Sequence, residues 1–167
     1  MTVIIKSMET PEEIEGKSLV HWQTWREAYY DLLPAEFQET MTLERCRFFS
    51  QKYPENTLIA IDGMKVVGFI SYGNFRDETI QAGEIIALYI LKDYYGKGIA
   101  QKLVKAALNA LDHFSEIFLW VLKENKRAIA FYQKMGFTVD GQEKILDLGK
   151  PIIEIRMVFK SSTKSES

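Results

Sequence analysis

The stretch EIIALYILKDYYGKGIAQKLVKAALNALDHFSEIFLWVL, residues 84–122, constrains the fold more than any other part of the chain. Its first eight residues are apolar at odd and even positions alike, the pattern of a strand buried on both faces and therefore central in a sheet. A turn carrying Gly96 and Gly98 follows. Ile99, Leu103, Ala107 and Leu111 then recur at helical spacing, and EIFLWVL reads as a second strand. Strand, helix and strand in that order form a β-α-β unit, which places a helix over one face of a sheet.

The flanking sequence extends that unit. Val3 to Ile5 make a short β-branched run, and Thr10 followed by Pro11 has the form of a helix N-cap with proline in the first turn. Apolar positions Trp22, Trp25, Tyr29 and Leu32 or Leu33 keep helical spacing from Leu19 to Leu33, where Pro34 ends or restarts the helix. TLERCRFFSQKY is a further short helix. Two β-rich runs around Asp62-Gly63 predict a hairpin. Asn125 can cap a helix bearing Ala128, Ile129, Tyr132 and Met135 that closes at Gly136, with strands expected at Phe137–Val139 and Ile152–Phe159. The expected architecture is α+β: a mixed, mostly antiparallel sheet flanked by helices on both sides. Residues 1–160 read as a single domain, and 161–167 as a polar, frayed tail.

The glycine turn has the composition of an anion site. A phosphate-binding P-loop is excluded, because the spacing is wrong and no hydroxyl residue follows the lysine. A dinucleotide fingerprint fits poorly, since its third glycine falls on Gln101, although Glu116 lies near the distance expected of a ribose ligand. Common to such turns are backbone amides, cleared of side chains by Gly96 and Gly98, at a helix N-terminus whose dipole favours negative charge. The same glycines also suit a plain tight connection between strand and helix.

EIIALYILKDYYGKGIAQKLV, taken together with NKRAIAFYQKMGF one strand later, resembles the GNAT superfamily of acyl-CoA-dependent N-acyltransferases. The two motifs span Glu84 to Phe137, and VHWQTWREAYYDLLP resembles the first helices of uncharacterised members. The family pattern [QR]-x-x-G-x-[GA] falls on Tyr95, Gly96, Lys97, Gly98, Ile99 and Ala100, with Tyr95 departing from it. The resemblance implies that amides from Gly96 to Gln101 receive the pyrophosphate of acetyl-CoA. It also implies that a bulge splays the preceding strand, so that the pantetheine arm lies against main-chain groups of Leu88, Tyr89 and Ile90, with Asn125 near that arm.

Two catalytic roles follow from the chemistry. An amine with a pKa near 10 must lose a proton before it attacks a thioester, and Glu84, at the start of the central strand, is the candidate base. A solvated Glu84 paired with a lysine is the alternative. The departing thiolate needs a proton donor, which the resemblance assigns to Tyr132; spacing alone makes the same tyrosine a core aromatic. Cys46, between Arg45 and Arg47 with no histidine nearby in sequence, reads as a structural thiol, so transfer is expected to be direct, in a ternary complex. Trp22, Trp25 and Tyr29 read as a core stripe, and Gln23, Glu27 and Asp31 as the wet face opposite. If that face lines the acceptor groove, its acids suit a cationic amine.

Charge and composition narrow the partners. With 21 basic and 23 acidic residues the net charge is −2, which offers no overall positive field to nucleic acid. A single cysteine excludes an internal disulfide, and His21 and His113 lack metal-ligand spacing, so no metal is expected. No apolar run approaches the roughly 20 residues of a membrane span. MTVIIKSMETPEE turns acidic where a signal peptide stays apolar, and a cytoplasmic location is expected. The expected partners are acetyl-CoA and an amine-bearing acceptor, and a homodimer stays open. A non-catalytic acyl-CoA sensor of the same fold and a dinucleotide-dependent oxidoreductase are the competing functions.

Overall fold

A computed structural model describes residues 2–161 as seven strands and five α-helices. The elements run β1 (Val3–Ser7), α1 (Pro11–Tyr29), α2 (Ala35–Gln38), α3 (Leu43–Lys52), β2 (Thr57–Asp62), β3 (Lys65–Asn74), β4 (Gly83–Ile90), α4 (Ile99–Ala110), β5 (Glu116–Leu122), α5 (Lys126–Lys134), β6 (Thr138–Asp147) and β7 (Pro151–Lys160). They form one sheet ordered β1-β2-β3-β4-β5-β7-β6. Every pair is antiparallel except β4 with β5, the pair that the α4 crossover requires to be parallel. β4 is central, as its two-faced apolar sequence demands.

Helices cover both faces. α1 lies against β3 and β4, with Lys17 over the Phe69 ring and His21 beside Phe69 and Tyr89. α4 covers the other face through Ile99, Leu103, Val104 and Ala107, all buried. Phe69, Ile70, Leu103, Ile117, Leu119 and Met157 are among the side chains fully withdrawn from water, each contributing about 1.5–3 kcal/mol.

Local signals set the element boundaries with two differences. The helical spacing expected to Leu33 joins the Thr10-capped segment into one helix that stops at Tyr29, and Pro34 starts a new short one. At its start Thr10 and Glu13 form a reciprocal capping box, and Lys6 pairs with the same Glu13 carboxylate, holding it down to about 2 together with the amides of Thr10 and Glu9. β6 runs to Asp147, well past the Val139 expected from sequence, because it is an exposed edge strand with no apolar alternation to mark it. The tail expected at 161–167 lies, apart from Ser161, outside the described residues.

Candidate active site

β4 pairs with β5 only at Gly83–Ile117 and Glu84–Phe118. Beyond Glu84 the two strands part. On the opposite edge of β4 the register with β3 slips, Ser71 facing Ala87 while Tyr72 faces Ile85, which leaves Ile86 as an extra residue and bends the strand. The bulge and the splay expected from the resemblance are thus both present. Between the parted strands lies a cleft of about 960 Å³, lined among others by Leu88, Tyr89, Ile90, Tyr95, Gly96, Gly98, Ile99, Ala100, Gln101, Asn125 and Tyr132.

One end of the cleft is built from main chain. Gly96 and Gly98 sit at φ +74° and +78°, left-handed conformations that side-chain-bearing residues rarely adopt, and Gly98 is the N-cap of α4 without any side-chain cap. None of the amides from Gly96 to Gln101 donates a hydrogen bond within the described protein; the first to do so is Lys102, to the Gly98 carbonyl. Unsatisfied donors at a helix N-terminus are what an anion requires. Lys97 is exposed and does not line the cleft. Tyr95, the departure from the family pattern, carries the Arg127 guanidinium 4.3 Å from its ring centroid. A cation therefore stands over the turn from α5.

The middle of the cleft holds a tyrosine cluster. Tyr29 and Tyr89 hydroxyls lie 3.4 Å apart, and Tyr89 stacks on His21 with ring centroids separated by 5.5 Å. Burial pushes His21 down to about 4, and its Nδ1 has no partner among the described residues, so it stands as a neutral ring behind Tyr89. Tyr132 reaches the gap from α5, where its ring also packs on Phe131 and Phe137. Its hydroxyl has no hydrogen-bond partner among the described residues. Burial, with Tyr29 adding to it, raises the Tyr132 hydroxyl well above its ordinary value, which keeps the proton on oxygen at neutral pH. Asn125 caps α5, its side-chain oxygen accepting from the Ala128 amide at 3.2 Å, and lines the cleft as well.

Glu84 requires correction. Its side chain is 1% exposed, and Arg76 holds both carboxylate oxygens: Nη2 donates to Oε2 at 2.7 Å, Nε to Oε1 at 3.1 Å, and the Arg76 amide to Oε1 at 3.2 Å. It does not line the cleft. Its partner is an arginine rather than the lysine weighed from sequence, and the pair clamps the loop after β3 to β4 just below the point where the sheet parts. The structure therefore places Glu84 outside the cleft, held by Arg76.

Other residues line the cleft instead. Glu27 and Asp31, expected on a wet face, line the cleft from the end of α1, both exposed. Trp120 of β5 and Glu154 of β7 line it too, and neither was singled out from sequence. Trp120 was hidden inside an apolar strand run. A lone carboxylate within PIIEIRMVF was the one available signal for Glu154.

The sequence pattern of the acetyltransferase (GNAT) family matches residues 22–137. The chain belongs to the GNAT family. It is an acyltransferase, like its named relatives. The chain is 29% identical over 158 residues to the peptidyl-lysine N-acetyltransferase YjaB of Escherichia coli, covering 93% of this chain and 98% of that protein. It is 31% identical over 109 residues to N-alpha-acetyltransferase 30 of Schizosaccharomyces pombe, covering 64% and 73%. Among solved structures, the PaiA N-acetyltransferase of Thermoplasma acidophilum in complex with coenzyme A shares the fold at a TM-score of 0.72 and 23% identity, over 96% of this chain and 99% of that one. No helix among the described residues is long and apolar enough to cross a membrane.

Proposed function

We propose that this GNAT enzyme transfers an acetyl group from acetyl-CoA to a primary amine, directly and in a ternary complex, in the cytoplasm. The observation that carries the reading is the continuity of one cleft from the unsatisfied amides of Gly96 to Gln101, along the free edge of β4, to the unpartnered Tyr132 hydroxyl. The amides and the Arg127 cation over Tyr95 fit a pyrophosphate. Leu88, Tyr89 and Ile90 offer main-chain groups to an amide-bearing arm.

Bound there, acetyl-CoA supplies a thioester whose carbonyl carbon bonds to the amine nitrogen as the carbon–sulfur bond breaks. Tyr132 donates its proton to the departing sulfur and recovers one from solvent, while the acceptor sheds one proton to water to attack as the neutral amine and a second to water as the amide forms. A main-chain N–H on the parted edge of β4 stabilises the negative oxygen of the intermediate, a contribution of roughly 2.7–4 kcal/mol where such donors have been removed. Cys46 takes no part. It is fully buried in the cluster with Trp25, Leu33, Met41 and Leu122, and burial raises its thiol away from the nucleophilic form.

The test is calorimetric titration of acetyl-CoA followed by a broad amine screen that reads release of free thiol. Binding with amine-dependent thiol release is expected. Tight binding with no release to any amine would instead identify a sensor of the same fold.

A further inference from the structure

Two consecutive tyrosines lead into the glycine turn, and each is tied to a different element. Tyr94 reaches the β2–β3 hairpin, where its hydroxyl donates to Asp62 Oδ2 at 2.7 Å. Tyr95, in extended backbone at φ −66° and ψ 151°, carries its ring to α5 instead. Both rings are half-buried and pack against the main core, so the Tyr95 ring is a fixed platform rather than a loose surface group. Arg127 lies over that platform, its guanidinium 4.3 Å from the ring centroid.

The guanidinium has no acid to hold it. Arg47, Arg76 and Arg156 are each paired with a carboxylate, at 2.7, 2.7 and 2.6 Å. Arg127 makes no ion pair among the described residues, and Glu27, which lines the same cleft, accepts from Gln23 at 3.1 Å. Its place in the helix also runs against the helix dipole. Lys126 and Arg127 stand in the first turn of α5 with no acid beside them, whereas α1 and α3 open with Glu12, Glu13 and Glu44. Positive charge at a helix N-terminus is unfavourable, and an anion placed there removes the conflict. Arg127 lines the same cleft as Gly96 and Gly98, so the free amides of α4 and the unpaired guanidinium of α5 open on one space.

We propose that Arg127 is the charged side chain of the pyrophosphate site and that Tyr95 is its positioning residue: a turn with neither glutamine nor arginine at position 95 draws its cation from α5 across an aromatic platform. The proposal rests on the reading that acetyl-CoA binds in this cleft. A planar guanidinium donates to two phosphate oxygens at once, and the amides take others. The 3′-phosphate of coenzyme A is the rival anion for the same group.

The experiment is calorimetric titration of coenzyme A, 3′-dephospho-coenzyme A and pantetheine into the full chain, with urea midpoints to report that each variant is folded. Arg127→Gln should weaken coenzyme A and its dephospho form alike, by about tenfold, leave pantetheine unchanged and reduce the salt dependence of coenzyme A binding. Tyr95→Phe keeps the ring and should hold affinity within about twofold. Tyr95→Leu should lose about fivefold, yet cost nothing further when added to Arg127→Gln, because its effect passes through the guanidinium. Tyr95→Arg in the Arg127→Gln protein should recover most of the loss by returning a cation to the turn. A merely structural arginine would weaken pantetheine as well and would not be rescued in this way. A loss that disappears with the dephospho form would assign Arg127 to the 3′-phosphate and overturn the proposal. Unchanged coenzyme A affinity in Arg127→Gln, or additive losses at the two positions, would overturn it too. Failure of the unsubstituted protein to bind coenzyme A at all would sink the acetyl-CoA reading itself, whereas binding that ignores Arg127 removes this proposal alone.

Discussion

The two ends of the cleft are made of different material. At the α4 end the free polar groups are amides of residues 96–101, unsatisfied within the described protein and held open by two left-handed glycines. At the opposite end they are side chains, Trp120 and Glu154, from two strands. A backbone site recognises a chemical feature common to every acyl-CoA and leaves most side chains around it free to vary. A side-chain site recognises one class of acceptor and changes with each substitution.

That difference can be broken or sharpened by measurement, and the largest effect is expected where the ends meet. Tyr132→Phe should lower single-turnover acetyl transfer by about 10²-fold while coenzyme A affinity stays unchanged. Because the Tyr132 hydroxyl is raised above its ordinary range, the protonated donor persists as pH rises, and the unsubstituted enzyme should show no loss of rate from this group up to about pH 10. A rate within twofold in the phenylalanine variant would remove the donor role.

Glu84→Gln comes next and tests the boundary of the site. Losing the charge of a buried carboxylate held by Arg76 should cost about 2 kcal/mol of stability in urea unfolding, with kcat/KM of the folded enzyme within twofold at every pH. A loss of activity concentrated at low pH would return Glu84 to the role of base.

Gly98→Val tests the backbone end. A β-branched residue at φ +78° strains the turn, and coenzyme A affinity should fall about tenfold, or 1.4 kcal/mol, while the rate from the saturated complex changes little. Lys97→Ala should give the smallest effect, an affinity within about twofold, since the Lys97 side chain lies outside the cleft. A tenfold loss there would mean that the anion end depends on the Lys97 charge as well.

Much of the fold was legible because its signals are local. Thr10 and Asn125 cap the helices they precede, the β2–β3 hairpin expected around Asp62-Gly63 turns at Gly63-Met64, and the α4 face of Ile99, Leu103 and Ala107 is buried as its spacing requires. Each of these depends on residues within a turn or two of one another. The glycine turn belongs to the same class, because left-handed φ and free amides are properties of a few consecutive residues.

What the sequence by itself determined, then, is the order of elements, the backbone end of the cleft and, through a motif inside one helix, the presence of Tyr132. Only the tertiary structure decided that β7 lies between β5 and β6, that β4 and β5 part after Glu84, and that Glu84 faces Arg76 rather than the cleft. It alone brought Trp120 and Glu154 to one cleft from two strands. The reason is register. A strand's alternation shows which residues share a face, but the neighbour across the ladder is chosen by the packing of the whole sheet.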